Sequence, residues 1–454
     1  MVGGSILWQS LISELVAESA TPKADADPLA ARPPHFPAKA KRVIFLFMSG
    51  GVSHVDSWDP KPKLFADAGK TTSVNEYQGR KGNYNMFLKR PQWEFARHGK
   101  SGTEVSSLFP HQAGCVDDLC VIRSMTSDHT NHYEATLGIH TGSFTFARPS
   151  IGAWTSYGLG TVNRNLPSFV VLAPRSPYAG GQVWGSDFLP GAHQGTLVVP
   201  GAEPIANVKR RTPTTSLQEM ELRLMEQMNR RHLSARGSDP SLQARIQSFE
   251  TAFGMQMAVP EVFDLTKETD ATLEMYGLKR GQTTGFGWQC LMARRLAEQG
   301  VRFVELIDTG SSDNWDAHGD MLTHTPLAKN VDQPIAGLLR DLKQRGMLED
   351  TLVVWATEFG RTPFVENKTA AGREHHHWVF STWLAGAGVK AGTVYGESDD
   401  YGINVGKDPV HVHDFHATIL HLLGFDHERL TYRHTGRDYR LTDVAGNVVK
   451  GILA

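Results

Sequence analysis

Residues Arg42 to Met48, RVIFLFM, form an apolar run that ends abruptly on Ser49-Gly50-Gly51. The run offers no polar position for a solvent-facing side, so it reads as a strand buried on both faces, as in a parallel sheet. Five further runs share the character: LCVIRSM (119–125), SFVVLA (168–173), VRFVELI (301–307), TLVVWATE (351–358) and WVFSTWLAG (378–386). Helical patterns lie between several of them. The segment PIAGLLRDLKQRG, 334–346, precedes the run at 351 and opens on a helix-compatible proline. Strands alternating with helices predict an α/β fold with a mostly parallel central sheet and right-handed crossovers.

Two stretches break this rhythm. Residues 59–110 are polar and rich in Lys, Gly and Asn, and read as an insertion over the first loop. Residues 215–280 contain SLQEMELRLMEQMNRRHLSARG and SLQARIQSFETAFGM, charged amphipathic helices that suit a lateral subdomain or cap. The Ala- and Pro-rich stretch up to Lys41 reads as a linker, leaving residues 42–450 for the main domain. The 454 residues suffice for that domain with its insertions, or for two domains.

Composition narrows the partners. Forty-six Lys+Arg against 48 Asp+Glu leave a net charge of -2, so no global field favours nucleic acid or an anionic membrane. Any affinity for anions must be local. No run of 18 apolar residues predicts a membrane-spanning helix. Cys115, Cys120 and Cys290 are too few for a disulfide scaffold and read as buried thiols ahead of a Cys115–Cys120 bridge.

The 20 histidines concentrate beside acids in a few windows. In open α/β sheets ligands collect at the carboxyl ends of the strands, so the residues following each run are the ones to compare. His54 and Asp56 follow the first run; Asp128, His129 and His132 follow 119–125; Asp308, Asp313, Asp316 and His318 follow 301–307. Glu358 ends the run at 351, with Arg361 and then Arg373-Glu374-His375-His376-His377 beyond it. Imidazole mixed with carboxylate favours Zn²⁺ or Mn²⁺ over Mg²⁺ or Ca²⁺. Arg361 suits a phosphate or sulfate oxygen pair, with a salt bridge to Glu358 as its plainer role. Asp320 and His324, four residues apart, read as an ordinary helix start. His413, His416 and His421 fall close to one face of a late helix and read as core-facing, with His411 and His413 near the metal edge.

The segments FLFMSGGVSHVDSWDPKP, NHYEATLGIHTGSFTFARPSIGAWTSYGLG, WDAHGD, TEFGRTP, GREHHHWVFSTWLAGAGVKAGTVYG and VHVHDFHATILHLLG resemble, in this order, the bacterial domain of unknown function 1501 family. That family is placed beside sulfatases in the alkaline phosphatase superfamily, and the resemblance covers roughly residues 30 to 450. It implies a three-layer sandwich of alkaline phosphatase and sulfatase type. It also implies that Asp56 is the first-strand metal carboxylate, with His54 as an extra ligand beside it. Asp316 and His318 resemble the mid-chain ligands, Glu358 stands in the place of a metal-binding Asp, and His375 resembles the late histidine ligand. One or two divalent ions are expected.

Two positions depart from the superfamily pattern. Phe359 stands where a histidine ligand is expected, so one site is lost or rebuilt with His54 or His376. His132 stands at the helix start where superfamily hydrolases place a Cys, Ser or Thr nucleophile, which leaves Thr130, Ser127 or metal-activated water to attack. The implied function is a metal-dependent hydrolase of a small anionic ester, phosphate or sulfate, with a sulfated glycan as one substrate class. The alternatives are a metal-stabilised binding protein without catalysis and a metal-dependent phosphomutase. The family commonly carries a twin-arginine export signal, and GGSILWQSLISELVAESA resembles the end of one. A periplasmic or secreted location is therefore expected, or a cytoplasmic one if no Arg-Arg precedes that segment.

Overall fold

The computed structural model describes residues 27–205, 212, 214–236 and 240–454. The export-signal expectation falls on residues 1–26 and lies outside the described residues. Nine strands make the central sheet: β1 (Arg42–Phe47), β2 (Leu119–Thr126), β3 (Phe169–Leu172), β4 (Thr196–Val198), β5 (Phe303–Ile307), β6 (Thr351–Ala356), β7 (Phe380–Ala385), β8 (Thr393–Tyr395) and β9 (Val410–His411). Their order is β8-β2-β7-β6-β1-β5-β3-β4, with β9 paired to β2. All pairings are parallel except those of β7, which runs against both β6 and β2. The six apolar runs are thus all strands of one sheet.

Among the described residues, seven of the longer helices flank or extend it: α1 (His132–Thr141), α2 (Ile151–Leu159), α3 (Thr215–Arg236), α4 (Pro240–Val262), α5 (Phe286–Glu298), α6 (His324–Gln344) and α7 (Val412–Leu422). Alternation along β1 separates two cores. Val43, Phe45 and Phe47 pack with residues of α1, α2 and α7, while Ile44 and Leu46 pack with α5 and α6. Helices therefore cover both faces and the domain is a three-layer α/β sandwich, which is why β1 shows no polar alternation.

Helix α6 starts ten residues before the expected Pro334 and carries that proline inside it. Ala328 and Val331 extend upstream the buried stripe of Ile335, Leu338, Leu339 and Leu342. Burying one large aliphatic side chain contributes about 1.5–3 kcal/mol, so the extended stripe offsets the roughly 3 kcal/mol cost of an interior proline.

The polar stretch 59–110 folds as two hairpins, Thr71–Tyr77 with Arg80–Leu88 and Phe95–His98 with Thr103–Ser106. The first shares a small core with Val55 and Phe364. Arg294 on α5 is buried and forms ion pairs with Glu268 at 2.7 Å, Glu298 at 2.7 Å and Asp341 of α6 at 3.0 Å, tying the segment after α4 to the sandwich. All three cysteines are buried thiols without a disulfide. Among the described residues no helix is long and apolar enough to cross a membrane.

Candidate metal centre

The carboxyl edge of the parallel strands carries the chemistry. After β1 the chain turns through Gly50 and Gly51 at φ +114° and +81°, backbone states that favour glycine. A Cβ on Gly50 would lie 2.6 Å from the Trp315 nitrogen, and one on Gly51 would lie 2.7 Å from the Phe359 ring. This close approach lets the turn grip two side chains. The Gly50 N–H donates to Glu358 Oε1 at 2.8 Å, and the Gly50 and Gly51 carbonyls accept from the Arg361 guanidinium.

Four side chains from three separate loops converge beside that turn. His132 is the first residue of α1, whose N-cap Asn131 accepts from the Tyr133 N–H. Asp316 and His318 come from the loop after β5. His375 comes from a two-residue antiparallel ladder that pairs Gly360 with His376 and Arg361 with His375. Because β7 is reversed, the residues preceding it reach the same edge as the residues following its neighbours. One ligand atom from each of His132, Asp316, His318 and His375 lies within 4.8 Å of all the others.

The outer nitrogens explain the convergence. His132 Nδ1 is 2.7 Å from Glu358 Oε1, His318 Nδ1 is 2.8 Å from Glu374 Oε2, and His375 Nδ1 is 2.6 Å from the Thr130 carbonyl. Each acceptor holds the proton on Nδ1 and turns Nε2 inward, the arrangement of metal-binding histidines. Inside, Asp316 Oδ1 lies 2.9 Å from His318 Nε2 and 3.3 Å from His375 Nε2, and Asp316 Oδ2 lies 3.3 Å from His132 Nε2. The His132 Nε2 atom is buried and makes no hydrogen bond. Its ring is stacked 4.3 Å from that of Tyr178.

Electrostatics follow the geometry. Burial raises the Asp316 carboxyl, but its close contacts with the three histidine rings and the Arg361 charge outweigh it and hold it far below the carboxylate range. Bonds to Asp316 and Glu374 push His318 up to about 9. Burial, aided by Arg361 and His132, pushes His375 down to about 4. Burial lowers His132, and its contacts with Asp316 and Glu358 more than reverse that. Three imidazoles and one carboxylate form a donor set that fits a borderline transition metal such as Zn²⁺ or Mn²⁺.

The other residues singled out from the sequence occupy different places. Asp56 is a correction: Arg373 Nε meets its Oδ2 at 2.7 Å and the Gln92 N–H meets its Oδ1 at 2.6 Å, in a buried ion pair outside the convergent group. His54 and His376 are corrections too. Their rings stack 5.6 Å apart, and their Nε2 atoms face the Gly402 and Ile403 carbonyls at 2.9 and 2.8 Å. His376 follows His375 on a strand and so points to the opposite face. Glu358 stands one layer behind His132 rather than in the convergent group. Arg361 is fully buried, with Asp316 Oδ1 at 2.6 Å and main-chain carbonyls taking three more of its N–H donors, so no two-pronged fork is left for a substrate anion. Thr130 contributes its carbonyl.

Phe359 packs 4.8 Å from the His132 ring and 4.6 Å from the His375 ring, an apolar wall to the group. Glu374, which sequence reasoning left without a role, holds His318; its signal was its position beside His375. On the late helix, His411 caps α7 in a capping box with Asp414, and His413 and His416 bond the Gly142 and Ile139 carbonyls. Asp320 caps a short turn, and His324 is buried at the start of α6.

These features define an α/β protein with a histidine-rich centre at its strand ends. The chain belongs to the family described as protein of unknown function (DUF1501), which its residues 40–453 match. No curated protein matches the sequence. Among solved structures it is similar to the PsFucS1 sulfatase from Pseudoalteromonas sp., at 12% identity over 92% of this chain and 71% of that one, with a TM-score of 0.35. It is also similar to an alkaline phosphatase from the Antarctic bacterium TAB5, at 12% identity over 80% and 96% of the two chains and a TM-score of 0.30. A phosphonate monoester hydrolase from Silicibacter pomeroyi aligns at 11% identity over 70% and 68%, with a TM-score of 0.30.

Proposed function

We propose that the chain is a metal-dependent hydrolase of phosphate or sulfate esters. The observation that carries this reading is the convergence of three Nε2 atoms on Asp316, each imidazole fixed from behind through Nδ1. His132, Asp316, His318 and His375 would hold the ion. A divalent cation there supplies Lewis-acid polarisation of the ester's anionic group and lowers the pKa of water.

The protein's own groups do the positioning. Glu358, Glu374 and the Thr130 carbonyl keep the imidazoles oriented, and Arg361 fixes Asp316 while offsetting its charge. Thr130 meets the group through its carbonyl, and the reading takes water as the nucleophile. A cavity of about 500 Å³ opens beside Asp316 and is lined by Tyr178, Ser311, Ser312, Asn314 and Leu327 among others. Its hydroxyl and amide groups suit the uncharged, hydroxyl-bearing part of a small ester, of which a sulfated glycan is one class.

A metal-stabilised binding protein is the second reading, favoured by the Phe359 wall and by His132 in place of a hydroxyl or thiol nucleophile. Metal analysis with aryl phosphate and aryl sulfate assays separates the two. Metal-dependent turnover that disappears in Asp316→Ala supports the hydrolase. Uptake without turnover on either ester class supports the binding protein, and absence of uptake removes both.

A further inference from the structure

We infer that Tyr178 is a catalytic residue of the centre, its phenolic O–H donating a hydrogen bond to the ester oxygen through which the alcohol departs. The assignment rests on the hydrolase reading above. Tyr178 follows β3, and its ring lies 4.3 Å from that of His132, with the two planes within 7° of parallel. The same residue lines the cavity that opens beside Asp316. It therefore stands at the seam between the centre, where the anionic group would sit, and the cavity, where the alcohol would sit. The atom that joins those two parts of an ester is its bridging oxygen.

The direction of the phenolic proton follows from Asn314. Its Oδ1 accepts the Asp316 N–H at 3.0 Å, which fixes the orientation of the amide. Its Nδ2 then donates to the Gly310 carbonyl at 2.8 Å and to the Tyr178 oxygen at 3.1 Å. Tyr178 is thus the acceptor toward Asn314, and its own proton points elsewhere. Among the described residues no group accepts that proton, which leaves it for a molecule in the cavity. The loop that carries Tyr178 is held in place as well. The Ser311 N–H donates to the Ser176 carbonyl at 3.0 Å, and Arg175 meets Asp313 Oδ2 at 2.6 Å. The next residue, Ala179, takes φ +64°, a left-handed state uncommon for a residue with a Cβ and one that gathers at sites where geometry is imposed. A donor fixed before substrate arrives stabilises developing charge without reorganisation.

The step balances without a further reactant. The oxygen of water bonds to phosphorus or sulfur, the bond from that atom to the ester oxygen breaks, and the alcohol leaves with the electron pair. Water releases a proton to solvent and the alcohol takes one from it. Tyr178 steadies the charge on the departing oxygen and keeps its own proton.

Tyr178→Phe in the full chain tests this, since it keeps the ring on His132 and removes only the hydroxyl. Metal stoichiometry and affinity are expected to match the wild type. The kcat for phenyl phosphate or phenyl sulfate should fall about 100-fold. The kcat for the matching 4-nitrophenyl ester should fall far less, because nitrophenolate needs less help to leave. An equal loss on both esters, or no loss on either, overturns the assignment while the hydrolase reading stands. Weakened metal binding in Tyr178→Phe overturns it too, and makes Tyr178 a positioning residue for His132. A wild type that binds metal and turns over neither ester class overturns the hydrolase reading, and this assignment with it.

Discussion

The Nε2 atoms of His318 and His375 stand 2.9 Å apart, a separation that two neutral imidazole lone pairs do not hold without a proton or cation between them. The two rings differ in the charge they carry. His318 is pushed up to about 9 and His375 down to about 4, so near neutrality the first is protonated and the second is not. The proton on His318 thus occupies the place that an ion would take.

Metal uptake must displace that proton. At pH 7 binding is expected to release about one proton per ion, with affinity rising about tenfold per pH unit until His318 deprotonates near 9. Calorimetry in buffers of different ionisation enthalpy counts the proton. Affinity independent of pH between 7 and 9 would exclude His318 as a ligand.

Asp316 and Asp56 should respond in opposite ways. Asp316→Asn is expected to abolish tight metal binding while the fold persists. Asp56→Asn strands the buried Arg373 and should cost about 3–5 kcal/mol of stability, while leaving metal stoichiometry intact. Metal analysis together with urea unfolding reads both.

The carboxylates behind the histidines should tune affinity without setting stoichiometry. Glu358→Gln and Glu374→Gln are each expected to weaken metal binding by about 10–100-fold. Competition with a chelator of known affinity measures the shift.

Acid should destabilise the protein through buried histidines remote from the centre. Burial pushes His416 and His193 down to about 3 from an ordinary 6.5. Above pH 6.5 neither the folded nor the unfolded chain protonates them. As pH falls toward 3 the unfolded chain takes up protons that the folded chain refuses, so stability drops, by at most about 5 kcal/mol per histidine. His416→Gln, which retains a donor for the Ile139 carbonyl, should move the acid midpoint followed by circular dichroism to lower pH.

How much of this was legible follows from what local sequence encodes. Strands β1, β2, β3, β5, β6 and β7 were visible because burial on both faces leaves long apolar runs. Strands β4, β8 and β9 span only three, three and two residues and carry no such pattern. The reversed direction of β7 is a pairing property, invisible in WVFSTWLAG. Asp316, His318 and His375 were singled out by their types at a strand edge, and the fold brings them together. Asp56 looked the same, because an acid beside a histidine reads alike whether it faces a cation or the Arg373 guanidinium. The inward turn of His132 depends on Glu358, more than two hundred residues away, and no local signal records it.

The turn at Gly50 and Gly51 gives the centre a single point of failure in residues that have no side chain. One pair of peptide units restrains an acid through its N–H and a base through its oxygens, and those two groups in turn orient His132 and Asp316. A methyl group introduced at Gly50 would therefore loosen both halves of the constellation at once.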